Sequence, residues 1–412
     1  MKTVRTAHPT PSDPSNLIFR HRNQADFTPD SEFRSTLMSR HFPAVDPDGL
    51  LEYSVVFTDR AVNHMSKLFQ QAMRDISATL KQVYKAEAVA VVPGGGSFGM
   101  EAIARQFATG KNCLVIRNGW FSYRWSQIFD MGSIPARSIV LQAKPIASGE
   151  QQPYAPPSIE EVEASIRHEK PDLVFAPHVE TASGIILPDD YLKRVAAAVH
   201  AHGGLFVLDC VASGAIWVDM QACGVDVLLS APQKGWSSSP CAALVMFSAA
   251  AKKRLDETTS TSFAADLKKW QQIMQAYEDG SHAYHATMPT EGLLRLRDAM
   301  NDTLACRLET LRNAQSTLGT KVRAMLATNG YPSVAASGFE APGVVVSYTE
   351  DADISNAKKL VALGLQSAGG VPLMCGESTS FRTFRVGLFG LDKLNDVDGA
   401  VQRLQAVIEK LQ

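Results

Sequence analysis

Lys234 sits in Leu228-Leu229-Ser230-Ala231-Pro232-Gln233-Lys234-Gly235, a lone amine among apolar and small residues. Burial in such a setting lowers a lysine pKa and frees the amine to act as a nucleophile, although most lysines are simply exposed. Asp209 ends the apolar run Phe206-Val207-Leu208. A carboxylate there can reach a ligand crevice and pair with a protonated ring nitrogen, hold a divalent metal, or merely cap local backbone. Gly94-Gly95-Gly96-Ser97 lies between an apolar run and a helical pattern. It lacks the spacing of a dinucleotide fingerprint and the ending of a P-loop, yet the N–H groups of a helix start can seat one phosphate. A plain tight turn accounts for it too.

Four further groups have both a chemical and a structural reading. Phe121, in Asn118-Gly119-Trp120-Phe121, can lie over a planar ring or belong to the core. Thr181, in His178-Val179-Glu180-Thr181, can contact a ligand or cap a turn. Tyr284 and Thr287, just before Met288-Pro289-Thr290, can donate to a phosphate or begin a helix. Arg385 can clamp a carboxylate bidentately or make a structural ion pair.

The elements that must position these groups follow from hydrophobic pattern. Ala61 to Val83 reads as a helix with Met65, Leu68, Phe69 and Met73 near one face. Ala88–Val92, Cys113–Ile116, Leu173–Ala176, Leu205–Leu208, Val225–Leu229 and Ala242–Phe247 read as short apolar strands, most followed by a turn and a helix. The segment from Asp190 to His202 is helical and stops at Gly203-Gly204. Near-continuous apolar strands alternating with helices indicate a mainly parallel α/β sheet covered on both faces, with ligands at the carboxyl ends of its strands. A long helix is expected from Leu293 to about Leu311, and strands at Gly343–Tyr348 and Phe384–Leu388 suit a smaller α+β domain. The expected division is an N-terminal arm over 1–47, a large domain over 48–305 and a small domain over 306–412.

The 412 residues are 45% hydrophobic and 20% charged, an ordinary globular composition that argues against disorder and a coiled coil. Forty Lys and Arg against 42 Asp and Glu leave a charge of −2, which argues against an extensive nucleic-acid surface. The six cysteines form no CxxC pair, and the many His and Asp residues form no compact metal motif. No signal core and no long uncharged apolar stretch is found, so a soluble cytoplasmic protein with no membrane partner is expected.

Taken together, the motifs resemble the class V aminotransferase family of fold-type I pyridoxal phosphate enzymes, especially its alanine-glyoxylate and serine-pyruvate branch. The resemblance rests on Pro93-Gly-Gly-Gly-Ser-Phe-Gly-Met-Glu101, Asn118-Gly-Trp-Phe121, His178-Val-Glu-Thr-Ala-Ser-Gly184, Asp209-Cys-Val-Ala-Ser-Gly214, Ser230-Ala-Pro-Gln-Lys-Gly235, Tyr284-His-Ala-Thr-Met-Pro289 and Phe384-Arg-Val-Gly387. These span about residues 50 to 405 in the family's order. The resemblance implies a seven-stranded, mainly parallel sheet flanked by helices plus a small α+β C-terminal domain. It also implies that Lys234 binds pyridoxal 5'-phosphate covalently and that Asp209 pairs with the pyridinium nitrogen. Phe121 would stack on the ring, Thr181 would add a polar contact, and Gly95, Gly96, Ser97, Val211 and Gln233 would complete the seat. Tyr284 and Thr287 would reach the phosphate from the neighbouring subunit of a homodimer, and Arg385 would bind the substrate carboxylate.

The sequence departs from the family at three places. Gly95-Gly96-Ser97 replaces the common Ser-Gly-His or Ser-Gly-Thr, and Phe121 replaces a tryptophan found in some alanine-glyoxylate enzymes. The segment around Leu51–Phe57 lacks the usual Asn-Pro-Gly-Pro-type opening. The resemblance implies transamination between a small L-amino acid and a 2-oxo acid such as glyoxylate or pyruvate. Alternatives are another pyridoxal phosphate reaction, a lyase or a cysteine desulfurase using Cys375, and a non-catalytic binding or scaffold protein.

Overall fold

A computed structural model describes residues 53–58 and 61–411. The apolar runs form strands that are buried on both faces: β1 (Ala88–Pro93), β2 (Asn112–Arg117), β3 (Arg137–Gln142), β4 (Leu173–Pro177), β5 (Leu205–Asp209), β6 (Val227–Ser230) and β7 (Ala242–Phe247). Only the edge strand β3 lacks buried residues. The seven form one sheet in the order β1-β7-β6-β5-β4-β2-β3. β7 runs antiparallel to both neighbours, and the other pairs are parallel. The carboxyl ends of β1, β2, β4, β5 and β6 therefore share one edge, and the motifs singled out above follow those ends.

Packing fixes the helices that approach that edge. Phe175 on β4 is fully buried, with the rings of Trp125 and Phe129 centred 4.6 and 5.2 Å away. Burying an aromatic side chain of this kind contributes about 2–3 kcal/mol, so the three rings tie the helix Trp120–Gly132 to the sheet and set its first turn beside the site. Glycines permit a second close approach. A Cβ on Gly99 would meet Leu229 at 2.5 Å and Ala243 at 2.6 Å, so the helix Gly96–Ile103 lies directly on β6 and β7.

Two helix boundaries differ from the expectation. The first helix begins at Lys67 rather than Ala61, because extended Ser66 caps it by accepting from Phe69 N at 3.2 Å. The pattern expected to run unbroken from Leu293 to Leu311 divides into Thr290–Ala305 and Leu308–Thr328 at Arg307, where φ is +62°. Apolar periodicity continues across such a break and does not report it. Downstream, β8 (Val344–Tyr348), β9 (Ala368–Gly369) and β10 (Thr383–Gly387) form a smaller antiparallel sheet in the order β8-β10-β9. Arg385 sits on its central strand, opposite Val346 and Ala368. The arm expected over 1–47 lies outside the described residues. Among the described residues no helix is long and apolar enough to cross a membrane.

The helix Leu308–Thr328 packs against the segment leading to β8 through Gly319, where an added Cβ would stand 2.6 Å from the Pro342 backbone. Alanine gains about 1 kcal/mol over glycine in a helix, but backbone cannot yield as a flexible side chain does, and overpacking costs about 1–3 kcal/mol. Gly319→Ala is therefore expected to lower stability by about 1 kcal/mol, measured as a lower urea midpoint. A higher midpoint would show that this approach is looser than described.

Candidate active site

At the carboxyl edge of the sheet lies a cavity of about 150 Å³. Its wall contains Gly96, Ser97, Phe121, Thr181, Asp209, Val211, Gln233 and Lys234, all expected from sequence, together with Met100, Arg124, Val179 and Ala212. Parallel pairing brings the two central groups together. Asp209 ends β5 and faces Leu229 on β6, and five residues beyond Leu229 the chain reaches Lys234. The loops that follow touch backbone to backbone: a Cβ on Gly235 would stand 2.5 Å from the Gly214 carbonyl oxygen. Fully buried Trp236 anchors the turn immediately after Lys234.

Burial dominates the electrostatics here. Asp209 Oδ1 accepts from Val211 N at 2.9 Å, yet loss of solvent pushes the carboxyl up to about 6, against the pull of that hydrogen bond and of the Lys234 charge. The Lys234 amine is shifted below the usual lysine range, first by burial, and the positive charge of Arg385 adds to this while Asp209 opposes it. Lys234 Nζ lies 5.9 Å from the centre of the Phe121 ring and 5.4 Å from that of Phe389. The Arg385 guanidinium stands 5.5 Å from the same Phe121 ring, and its Nε donates to the Gly369 carbonyl at 2.8 Å. Among the described residues no carboxylate pairs with it, so its terminal nitrogens remain available.

Glu180 was passed over in the sequence, where only its neighbour Thr181 was singled out. Its carboxylate is fully buried. Oε1 accepts from Phe121 N at 3.2 Å and Ala182 N at 2.9 Å, while Oε2 accepts from Ser122 N at 2.9 Å and Ser122 Oγ at 2.6 Å. The helix Trp120–Gly132 starts after Gly119, which has no side chain to cap it. Glu180 supplies that cap from another element and places its negative charge at the positive end of the helix. Gly119 is required for this, since a Cβ there would meet Glu180 Cγ at 2.7 Å. The signal available beforehand was a carboxylate beside a strand end and an uncapped helix start, but their meeting is tertiary.

Other residues singled out in the sequence lie outside this wall. Tyr284 Oη and Thr287 Oγ1 lie 3.2 Å apart and Tyr284 is 58% exposed; neither lines this subunit's own cavity, as expected of residues that would serve a neighbouring subunit. Gly95 precedes the helix Gly96–Ile103 as its N-cap and is not part of the cavity wall. Cys375, the thiol on which desulfuration would depend, is directed at the backbone: Sγ donates to the Arg117 carbonyl at 3.5 Å. Burial and the charges of Glu377 and Glu180 push it up to about 12, a setting that disfavours the thiolate a sulfur acceptor needs. His178 is buried too, with Nδ1 2.7 Å from Ser213 Oγ, and burial pushes its pKa down to about 3.

Removing the Glu180 cap leaves buried N–H groups without acceptors, at about 1–3 kcal/mol each. Glu180→Ala is expected to cost about 3 kcal/mol or more in chemical denaturation, and Glu180→Gln, which keeps one acceptor oxygen, distinctly less. Equal stabilities for both variants and the parent would contradict the capping role.

Comparison with known proteins places this arrangement. The model of the family described as Aminotransferase class-V matches residues 50–362. A soluble hydrogenase small subunit of Synechococcus sp. (strain PCC 6716) is 27% identical over 356 residues, covering 85% of this chain and 88% of the relative. Alanine–glyoxylate aminotransferase of Rattus norvegicus is 29% identical over 247 residues, 58% of this chain and 56% of that one, so the match spans little more than half of the rat protein. Among solved structures, an alanine–glyoxylate aminotransferase from Nostoc sp. superposes with a TM-score of 0.71 at 22% identity, over 84% of this chain and 89% of the other. With most of its length matched by the family model and its sheet order and smaller C-terminal sheet in the fold-type I pattern of pyridoxal phosphate transferases, the chain belongs to the class-V aminotransferase family.

Proposed function

We propose that the protein is a pyridoxal-phosphate-dependent aminotransferase that passes the amino group of a small L-amino acid to a 2-oxo acid such as glyoxylate or pyruvate. The observation that carries this reading is the convergence of a depressed lysine amine, Lys234, and a buried carboxylate, Asp209, on one cavity beside an aromatic ring, Phe121.

The residues present fit the cofactor. Gly96 opens the helix beside the cavity, where a Cβ would press to 2.8 Å on Val211, so the backbone N–H groups can be approached closely. The buried Gln233 Oε1 has no partner within the protein, which marks a polar position meant for something else. Pyridoxal phosphate, when bound, supplies an electron sink that stabilises negative charge at the substrate Cα. Lys234 would hold the cofactor covalently in the resting protein and, as a free amine once a substrate amine has replaced it, would take and return the Cα proton, a role its depressed pKa favours. Asp209 keeps a proton on the ring nitrogen, and Arg385 binds the substrate carboxylate through its free terminal nitrogens. Phe121 and Thr181 complete the ring site. Tyr284 and Thr287 serve the partner subunit's phosphate in a homodimer. Six free thiols suit a reducing compartment, which supports the cytoplasm as the location.

The test is the isolated half-reaction. Amino acids added without an acceptor are expected to convert the bound cofactor to its aminated form and release the 2-oxo acid, with Arg385→Ala raising the donor KM by about 10- to 100-fold. Sulfide or persulfide release without a 2-oxo acid would overturn the reading.

Asp209 also fixes a pH dependence. Cofactor binding requires its ionised form, so the bound state depresses a pKa that is about 6 in the free protein. Affinity for pyridoxal phosphate is therefore expected to be full above that pH and to weaken as the pH falls through about 6. Titration of the apoprotein between acid and neutral pH checks it, and a flat profile through that range would contradict the assignment.

A further inference from the structure

Arg124 lines the same cavity and has no part in the reading above. It follows Phe121 by three residues in the helix Trp120–Gly132, a spacing that puts both side chains on one face. Its guanidinium stands 5.2 Å from the centre of the Phe121 ring, and Nη1 donates to Ser97 Oγ at 2.8 Å. Ser97 is the second residue of the helix Gly96–Ile103. Among the described residues no carboxylate forms an ion pair with Arg124. A guanidinium has five N–H donors. Here one is spent on a neutral hydroxyl, so the cation is held in place at a helix start without being neutralised.

The charge of a phosphate monoester explains why such a cation would be kept there. A phosphate carries about −1.5 to −2 at neutral pH, whereas a helix N-terminus offers about +0.5. Lys234 and Arg385 are committed to the ring end and to the substrate carboxylate. Ser97 is short, and its hydroxyl can accept from Arg124 while donating to an oxygen beyond it. The nearby Phe121 ring and the bond to Ser97 together restrain the guanidinium, which reduces the entropy lost on binding an oxyanion. We propose that Arg124, acting with Ser97, binds the phosphate group of the cofactor from within the same subunit. This inference rests on the aminotransferase reading, because it assigns the cofactor's phosphate to the Ser97 end of the cavity.

The experiment compares pyridoxal phosphate with pyridoxal, which lacks the phosphate, in titrations of the apoprotein followed by protein fluorescence and cofactor absorbance, without amino substrate. Arg124→Ala is expected to raise the Kd for pyridoxal phosphate by about 10- to 100-fold while changing that for pyridoxal by less than about threefold. Inorganic phosphate should compete with pyridoxal phosphate in the parent and lose that ability in the variant. Arg124→Gln, which can still donate to Ser97 but carries no charge, should behave like Arg124→Ala, and Arg124→Lys should recover part of the loss. If Arg124→Ala does not fold, as judged by circular dichroism, the Gln and Lys variants decide. Equal weakening of both ligands would overturn the proposal and make Arg124 a support for Phe121. Unchanged affinity for both would also overturn it. A parent protein that binds neither ligand would instead remove the aminotransferase reading on which the inference stands.

Discussion

Strands that run in the same direction in a sheet end at the same edge, and the rest of this molecule depends on that constraint. β5 lies between β4 and β6, with Pro177 and Leu229 opposite Asp209 on either side. The pairing brings three loops to one place: the Thr181 loop, the loop after Asp209 and the Lys234 turn. β1 and β2 end at the same edge and add the glycine turn and the aromatic helix start. β7 is the exception, since it returns antiparallel and closes the sheet against β1 without contributing to the cavity wall.

The edge then has to accommodate charge. Burial shifts both Asp209 and Lys234 toward neutrality; this favours a free lysine amine and raises the carboxyl only to about 6, which leaves it ionised at neutral pH. Glu180 differs in kind: its four donors hold a carboxylate in the interior and convert its desolvation into a fixed orientation for the helix that carries Phe121. The ring's position therefore depends on a residue outside the wall of the cavity it serves. Positive groups gather around the same ring, with Lys234, Arg385 and Arg124 each within 6 Å of its centre. The site is thus suited to an anionic, planar ligand and a carboxylate substrate.

Much of this was legible in the sequence, for a physical reason. Lys234, Asp209 and Gly96 each stand at a change from a continuous apolar run to polar or glycine-rich chain, and such changes are local. Six strands of the large sheet and two of the smaller one follow from the same runs, whereas the edge strand β3 and the two-residue β9 carry no buried apolar run to announce them. Glu180 and Arg124 were not legible because their meaning lies in the partner: one caps a helix 58 residues away in sequence, and the other reaches Ser97 from a different helix. The break at Arg307 is not legible because a single left-handed residue leaves apolar periodicity intact. The late start at Lys67 reflects a serine whose capping role competes with continuation of the helix.

The central claim is that the Lys234 amine is the group that holds the cofactor. Reduction of the pyridoxal-phosphate-loaded protein with borohydride, followed by peptide mass mapping, tests it most directly, because reduction makes the lysine–cofactor bond permanent wherever it formed. The account predicts one phosphopyridoxyl group per chain, on Lys234. Modification of a different lysine, or none above the level of a denatured control, would contradict it.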